Sequence, residues 1–342
     1  MDIEKIISTK LERNNEIWNG PKGNYWSNLN IEENKKFLQD IGILGSKNSV
    51  EKHFPEHYDV IFSPKRAAGL ILLDLKPGEI VVDAGCMWGA LTIPLAKAGC
   101  NVIGIDQTYE SLKLLEKRVS EEQLKNVELI CSDLNKIFFY ESSFDKAIIN
   151  GVLEWISQET SVELKKFYGK KSGGITFRSN TQSPGNLQYD FLKKVFNGLK
   201  NEGTLYLAIE NRFDIFYFMS QPDPHCNIRF ITFMPRWIQN VMSNLILGRP
   251  YVNWIYSPKQ LAKMLNTVGF RNVEIMYAFP DYRMPEYILS KKGLNHYHPF
   301  KYRTTKNILK KIVVYVTEDL IFRKLKLNFF SPALIVIARK VV

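Results

Sequence analysis

An α/β fold wound on a mostly parallel sheet is predicted by three features of the sequence. Apolar runs recur at Glu79-Ile80-Val81-Val82, Asn101-Val102-Ile103-Gly104-Ile105, Glu128-Leu129-Ile130-Cys131 and Phe144-Asp145-Lys146-Ala147-Ile148-Ile149. Continuous rather than alternating Val/Ile/Leu runs suit parallel strands buried on both faces. Segments of helical periodicity separate several of them, which is the pattern of a doubly wound sheet. Each run also stops at a polar residue, Asp83, Asp106, Asp133 or Asn150, and the first is followed by Gly85 and Gly89. Glycines at a strand-to-helix turn let backbone approach a ligand without a β-carbon in the way.

In chain order, residues 1–50 carry apolar positions at helical spacing (Ile6, Ile7, Leu11, then Phe37, Leu38, Ile41), with Trp18, Tyr25 and Trp26 in a Gly/Asn/Pro-rich loop between. This predicts an N-terminal helical cap. Ser63 and Pro64 fit the N-cap and first position of a helix. Strands are then expected near 79–83, 101–105, 127–131 and 144–149, with helices near 89–98 and 109–118. The periodic stretch 187–199 is a helix leading to a fifth strand at 204–209. Ser257 opens another helix, closed by Gly269, before a strand at 273–278, and 333–338 supplies the last strand. Two insertions interrupt this order. One, 211–255, contains a helix near 235–247 with Trp237, Ile238, Val241, Met242, Leu245 and Ile246 on a stripe. The other, 281–330, is basic, and 170–174 reads as a mobile Lys/Gly stretch.

At 342 residues and 45% hydrophobic, the chain can bury a full core, which excludes a disordered protein. The expected division is a cap at 1–50, a core at 51–210 and 256–342 carrying the basic insertion, and a lid over the acceptor at 211–255. No stretch reaches the ~20 apolar residues of a membrane span, and the charged first residues resemble no leader. Cys86, Cys100, Cys131 and Cys226 lack metal-ligand spacing and read as reduced core thiols of a cytoplasmic protein. The net charge of +11 is concentrated: 291–330 holds ten Lys/Arg against Glu318 and Asp319, a local +8. Such a segment implies an anionic partner: phospholipid at the inner membrane face, a phosphorylated glycan carrier, or nucleic acid. A solvated helix face is the plainer reading.

The turn at Asp83-Ala84-Gly85-Cys86-Met87-Trp88-Gly89 has one glycine pair rather than a phosphate-cradling loop, so S-adenosylmethionine, which has no pyrophosphate, is the inferred ligand. An acidic residue closing the second strand, Asp106, can accept from both ribose hydroxyls. Asp133 can accept from the adenine amino group. With these residues in view, the chain resembles the class I S-adenosylmethionine-dependent methyltransferases over about 64–210 and again from 256. The resemblance implies a Rossmann-like sheet of seven strands, the last antiparallel. It also implies a cofactor site in which Asp83, Ala84, Gly85 and Gly89 form the methionine-side turn, Asp106 and Gln107 hold the ribose, Asp133 and Leu134 the adenine, and Asn150 sits beside the sulfonium. The family usually has glycine where this chain has Met87, a position at which a β-carbon costs ~1 kcal/mol or more.

A narrower resemblance rests on Asn150-Gly151-Val152-Leu153-Glu154-Trp155, Ile209-Glu210-Asn211-Arg212, Pro222-Asp223-Pro224-His225 and Phe279-Pro280-Asp281-Tyr282-Arg283. It points to a microbial subgroup similar to enzymes of glycan and cell-surface polysaccharide pathways. Methyl transfer from a sulfonium demands no metal, only alignment and a place for the acceptor's proton. Candidate bases are His225, Asp223, Glu210 and Glu154, and Arg212, Tyr282 and Arg283 are candidates to hold an anionic acceptor. Structural rivals stand beside these: a loop-capping histidine for His225, a buried Glu210/Arg212 pair, and a structural Tyr282/Arg283 pair. The expected activity is O-methylation of a glycan, lipid-linked saccharide or related small molecule. Two alternatives stand beside it: a nucleic-acid (RNA) methyltransferase, and a catalytically silent cofactor-binding scaffold, which Met87 would favour.

Overall fold

The computed structural model describes residues 1–21, 31–160, 175–177, 183–293, 312 and 315–341. Its elements are β1 (Glu12–Asn14), β2 (Ile17–Asn19), α1 (Ile31–His53), α2 (Tyr58–Phe62), β3 (Ile80–Ala84), α3 (Thr92–Lys97), β4 (Asn101–Asp106), α4 (Tyr109–Glu121), β5 (Val127–Cys131), β6 (Phe144–Asn150), β7 (Gln158–Thr160), β8 (Ile175–Phe177), α5 (Pro184–Gly198), β9 (Leu199–Glu210), α6 (Ile215–Phe218), α7 (Arg236–Leu247), α8 (Pro258–Val268), β10 (Arg271–Phe279), β11 (Tyr287–Leu289) and β12 (Ala333–Arg339). A ten-residue 3-10 segment, Pro64–Leu73, precedes β3, and Ser63 caps it by accepting from the Lys65 N–H.

The sheet runs β1-β2-β5-β4-β3-β6-β9-β12-β10-β11. Strands β5, β4, β3, β6 and β9 are parallel, while β12 lies antiparallel between β9 and β10. The predicted doubly wound, mostly parallel α/β fold is therefore present. Its seven expected strands form the centre, and three more extend the edges. The order reverses between β3 and β6, the switch point where open α/β sheets leave a crevice for a ligand. Register fixes which residues meet there: Ala84 pairs with Ile149, Asp106 with Cys131, and Asn150 with Ala208. The central strands are apolar throughout because both faces are covered, with Val82, Ile103, Ile148 and Leu207 all buried.

At the amino end the structure departs from the expected helical spacing of Ile6, Ile7 and Leu11. Ile3–Lys5 is a single 3-10 turn, and β1 and β2 form a hairpin that pairs β2 parallel to β5. Asn15, at a φ of 54°, makes the reversal between them. The chain then passes the end of β5, where the Pro21 carbonyl accepts from the Asp133 N–H and the Ser132 hydroxyl. The predicted helix through Phe37 and Ile41 is α1, broken at Gly45 and packed on α4. Tyr25, Trp26, the 170–174 stretch and most of the basic segment (294–311 and 313–314) lie outside the described residues. What is described of that segment's end is a helical stretch, Tyr315–Lys324. No helix among the described residues is long and apolar enough to cross a membrane, and the four cysteines are buried free thiols.

Leu207, fully buried in β9 between β6 and β12, tests how much the central strands carry. Leu207→Ala should lower unfolding free energy by ~2–5 kcal/mol, the range for truncating a buried leucine. Denaturant titration should show a lower midpoint at an unchanged slope. An unmoved midpoint would mean the sheet centre is not where stability resides.

Candidate active site

The turn after β3 is held by backbone. The Gly85 and Cys86 N–H groups both donate to the Ile105 carbonyl, and the Gly89 N–H donates to Cys86 O. Gly85 and Gly89 have φ of 78° and 76°. A β-carbon at Gly85 would fall 2.3 Å from Val152, and one at Gly89 2.1 Å from Leu115. Both glycines are thus required by conformation and by contact. Met87 shares the left-handed region at φ 43°, as its position foretold, and its side chain is exposed. The turn nevertheless closes, because the Met87 N–H donates to Asp106 Oδ2 at 2.9 Å.

Asp106 is buried and accepts a second backbone donor, Thr108 N–H, at 2.8 Å on Oδ1. Burial raises its pKa, opposed by those two N–H groups. Asp83 accepts from the Thr92 hydroxyl at 2.6 Å. Burial lifts it to about 6 against the pull of that hydrogen bond and of the Arg66 guanidinium. Asp133 is buried at the end of β5, and its Oδ1 accepts from Asn135 N–H and the Asn135 side chain. Ala84 is buried, Gln107 exposed and Leu134 half-buried. Asn150, ending β6, is buried with no hydrogen-bond partner on Oδ1 among the described residues.

Arg66 was not among the residues singled out from sequence. Its Nε and Nη1 are buried without partners among the described residues, its guanidinium lies over the Tyr282 ring at 5.6 Å, and burial lowers its pKa. The only sequence signal was its place in the first turn after the Ser63 cap.

The acceptor-side candidates from three strand ends converge. Tyr282, after β10, is buried and donates to Glu210 Oε1 at 3.1 Å. Its hydroxyl packs so closely on Gly151 (φ 69°) that a β-carbon there would sit 2.3 Å away. Glu154 is fully buried, with neither carboxylate oxygen hydrogen-bonded among the described residues, and Glu210 Oε2 is likewise buried and unpartnered. His225 presents Nδ1 to Asp223 Oδ1 at 3.0 Å and Nε2 to Glu210 Oε2 at 4.0 Å, under the edge of Trp155. Asp223 also accepts from the Tyr251 hydroxyl at 2.6 Å.

The proton distribution follows from burial and charge. Burial and the neighbouring Glu210 hold Glu154 well above the usual carboxylate range, which favours its protonated form. Burial alone would lower His225, but the Asp223 hydrogen bond and Glu210 outweigh it and lift it to about 9. For Asp223, burial opposes and the histidine wins, so its pKa is lowered. His225 is accordingly an imidazolium paired with Asp223, which makes it a donor at neutral pH. A protonated Glu154 is itself an O–H donor beside Glu210, and the interaction between the two carboxyl groups is among the causes that raise its pKa. One donor atom each from Glu154, Glu210 and His225 lies within 4.8 Å of the others, a spacing at which a cation could be held once His225 had given up its proton.

Two candidates point elsewhere. Arg212 is buried, and its guanidinium donates to the Thr232 and Met234 carbonyls, which ties down the 211–255 insertion. Arg283 stands exposed, 3.8 Å from Asp281.

Comparison with known proteins bears on this arrangement. Residues 81–168 match the sequence profile of a family described as a methyltransferase domain. A probable ribosomal RNA small subunit methyltransferase A of Methanosphaera stadtmanae is 30% identical over 99 residues, covering 29% of this chain and 35% of that one. A cypemycin N-terminal methyltransferase of a Streptomyces species is 30% identical over 131 residues, covering 36% and 52%. The chain thus spans between a third and about half of the length of these relatives. Among solved structures, a Haemonchus contortus phosphoethanolamine N-methyltransferase 2 with S-adenosylhomocysteine aligns over 90% of this chain and 60% of that one, with 12% identity and a TM-score of 0.47. Residues 81–168 thus match a methyltransferase domain, a likeness that implies S-adenosylmethionine as the cofactor.

The residues present fit that cofactor. Its ribose diol and adenine amino group are donors, and Asp106 and Asp133 are acceptors. Its methionine end is a zwitterion, and the orphaned Arg66 nitrogens and Asn150 Oδ1 are one donor and one acceptor set with no partner among the described residues.

Because the folded-state pKa of His225 lies above its ordinary 6.5, its ion pair stabilises the fold fully below pH ~6.5 and is lost as pH rises through about 9. At ~1.36 kcal/mol per unit, up to ~3 kcal/mol is at stake, counted once for the His225–Asp223 pair. Stability of the wild type should therefore decline across this window, while His225→Gln, less stable at pH 6, should show a flatter profile. Parallel melting curves would place the histidine's charge elsewhere.

Proposed function

We propose that the chain is an S-adenosylmethionine-dependent methyltransferase that methylates a hydroxyl of a glycan, lipid-linked saccharide or related small molecule. The observation that carries this reading is the buried group Glu154–Glu210–His225–Asp223 lying directly beyond the cofactor-side residue Asn150. When bound, the cofactor supplies a methyl group already activated for in-line displacement. The protein's own residues then have three tasks. Asp106 and Asp133 hold the nucleoside, while Arg66 and Asn150 hold the methionine end. Glu210 Oε2 takes the acceptor's proton, since His225 already bears one. Glu154, whose pKa is raised, and the Asp223-paired imidazolium stand beside Glu210 and offset the cost of gathering carboxyl groups in a buried site. The insertion at 211–255, tied by Arg212 and contributing Asp223 and His225, closes the acceptor side as a lid.

RNA as the acceptor is a second reading, favoured by the +11 charge and by the name of one relative. The silent-scaffold reading rests on Met87 alone, and the closed turn weighs against it.

Calorimetry with S-adenosylhomocysteine should show Asp106→Ala losing at least ~1.5 kcal/mol, about tenfold or more in affinity, as expected for hydrogen bonds to a charged group. Unchanged affinity would put the ribose elsewhere. Glu210→Gln should reduce S-adenosylhomocysteine release on a panel of glycosyl acceptors by ~10²–10⁴-fold while cofactor affinity stays within a few fold. Release stimulated by RNA and by no saccharide would favour the second reading.

A further inference from the structure

Helix α7 buries several polar side chains and exposes several apolar ones. Its polar residues face the protein: Gln239 is fully buried and donates to the Ile231 and Thr232 carbonyls, Arg236 donates to Ile255 O at 2.6 Å, and Ser243 is buried. Four of its apolar residues face outward, with Trp237 68% and Leu245 81% exposed, and Val241 and Ile246 more than half exposed, while Met242 and Leu247 pack against the buried cluster of Cys226, Ile228, Ile231 and Tyr251. Trp237, Val241 and Leu245 stand four residues apart, so they form one stripe along a helix ~18 Å long. In the same insertion Phe230, Phe218 and Met219 are also exposed. Phe218 stacks on Phe233 at 4.2 Å and meets Phe330 at 5.7 Å, which links the patch to the end of the basic C-terminal segment.

Four large apolar side chains on one short exposed helix are more than a soluble surface ordinarily carries. Charge identifies what they meet. The fifty residues 224–273, which include α7, contain six Lys/Arg and no Asp or Glu. A second copy of a chain at +11 would bring like charge to the contact, whereas an anionic lipid surface offers headgroups to the cations and acyl chains to the stripe.

We propose that the outward face of α7, with the exposed Phe218 and Phe230, is a monotopic membrane-docking surface that inserts into an anionic lipid leaflet. It would seat the 211–255 insertion, and with it Asp223 and His225, against the bilayer. Insertion is independent of methyl transfer, so it holds or fails whatever the acceptor proves to be.

The test uses the full chain and vesicles of phosphatidylcholine with or without phosphatidylglycerol, sedimented at low and moderate salt. The wild type should co-sediment with the anionic vesicles. The double variant Leu245→Ser/Ile246→Ser should bind at least about tenfold more weakly, the effect of removing apolar area from an interfacial helix. Its melting temperature and S-adenosylhomocysteine affinity should be unchanged, since both side chains are exposed. Three results would each overturn the proposal: no wild-type binding to anionic vesicles; equal binding by the variant, which leaves the attachment to charge alone; or a wild-type dimer that the variant converts to monomer, which makes the stripe a self-contact.

Discussion

Parallel pairing in register puts the carboxyl ends of β3, β4, β5, β6 and β9 on one edge of the sheet, and that constraint organises the rest of the molecule. Strands covered on both faces must be apolar along their length, so polar groups accumulate where the strands stop. Asp83, Asp106, Asp133, Asn150 and Glu210 all lie at or just beyond such stops. Antiparallel insertion of β12 between β9 and β10 brings Ala333 opposite Glu210 and leaves the loop after β10 free to deliver Tyr282 to the same edge. The cofactor-side and acceptor-side groups are therefore neighbours by topology before any side chain is chosen.

Gathering carboxylates at a dry edge is costly, and the structure offsets the cost differently at each. Asp106 accepts from two backbone N–H groups, and Asp83 from a threonine hydroxyl. Glu154 has no donor among the described residues and keeps its proton instead. Asp223 is compensated by an imidazolium and a tyrosine hydroxyl. Glu210 has its tyrosine on one oxygen, and its other oxygen has no hydrogen-bond partner among the described residues. That half-satisfied carboxyl, beside a histidine already paired with Asp223, is why the proposed proton transfer is assigned to Glu210 rather than to the histidine that the sequence made conspicuous.

The sequence showed the sheet well because its signal is local: a buried parallel strand is a continuous apolar run, and Ser63, Ser257 and Gly269 mark helix ends by their own chemistry. The convergence of Asp223, His225, Glu210 and Tyr282 was legible only as candidates, since nothing local states that a loop after the fifth strand folds back over the fourth. The hairpin β1–β2 was hidden because three-residue edge strands, one of them fully exposed, carry no alternation to read. Arg66 was hidden for another reason. An arginine in a first helical turn is ordinary, and its significance lies in the burial of Nε and Nη1 beside Tyr282 with no hydrogen-bond partner among the described residues, which is tertiary information.

The stripe on α7 shows the same limit from the other side. Periodicity correctly gave an amphipathic helix with Trp237, Val241 and Leu245 on one face, yet a stripe has no inside or outside until the core is placed beside it. Ordinarily the apolar face wins the interior, since burying it is the larger gain. Here Gln239 donates to the Ile231 and Thr232 carbonyls, beside the Met234 N–H on the first and Arg212 on the second, and Arg236 donates to the Ile255 carbonyl. Those contacts, each worth ~1 kcal/mol, anchor the polar side of the helix on the insertion and leave part of its apolar side at the surface. A loop that must be both irregular and closed over a polar site thereby creates an exposed hydrophobic face beside that site, and function can use the face only where the surroundings are themselves apolar.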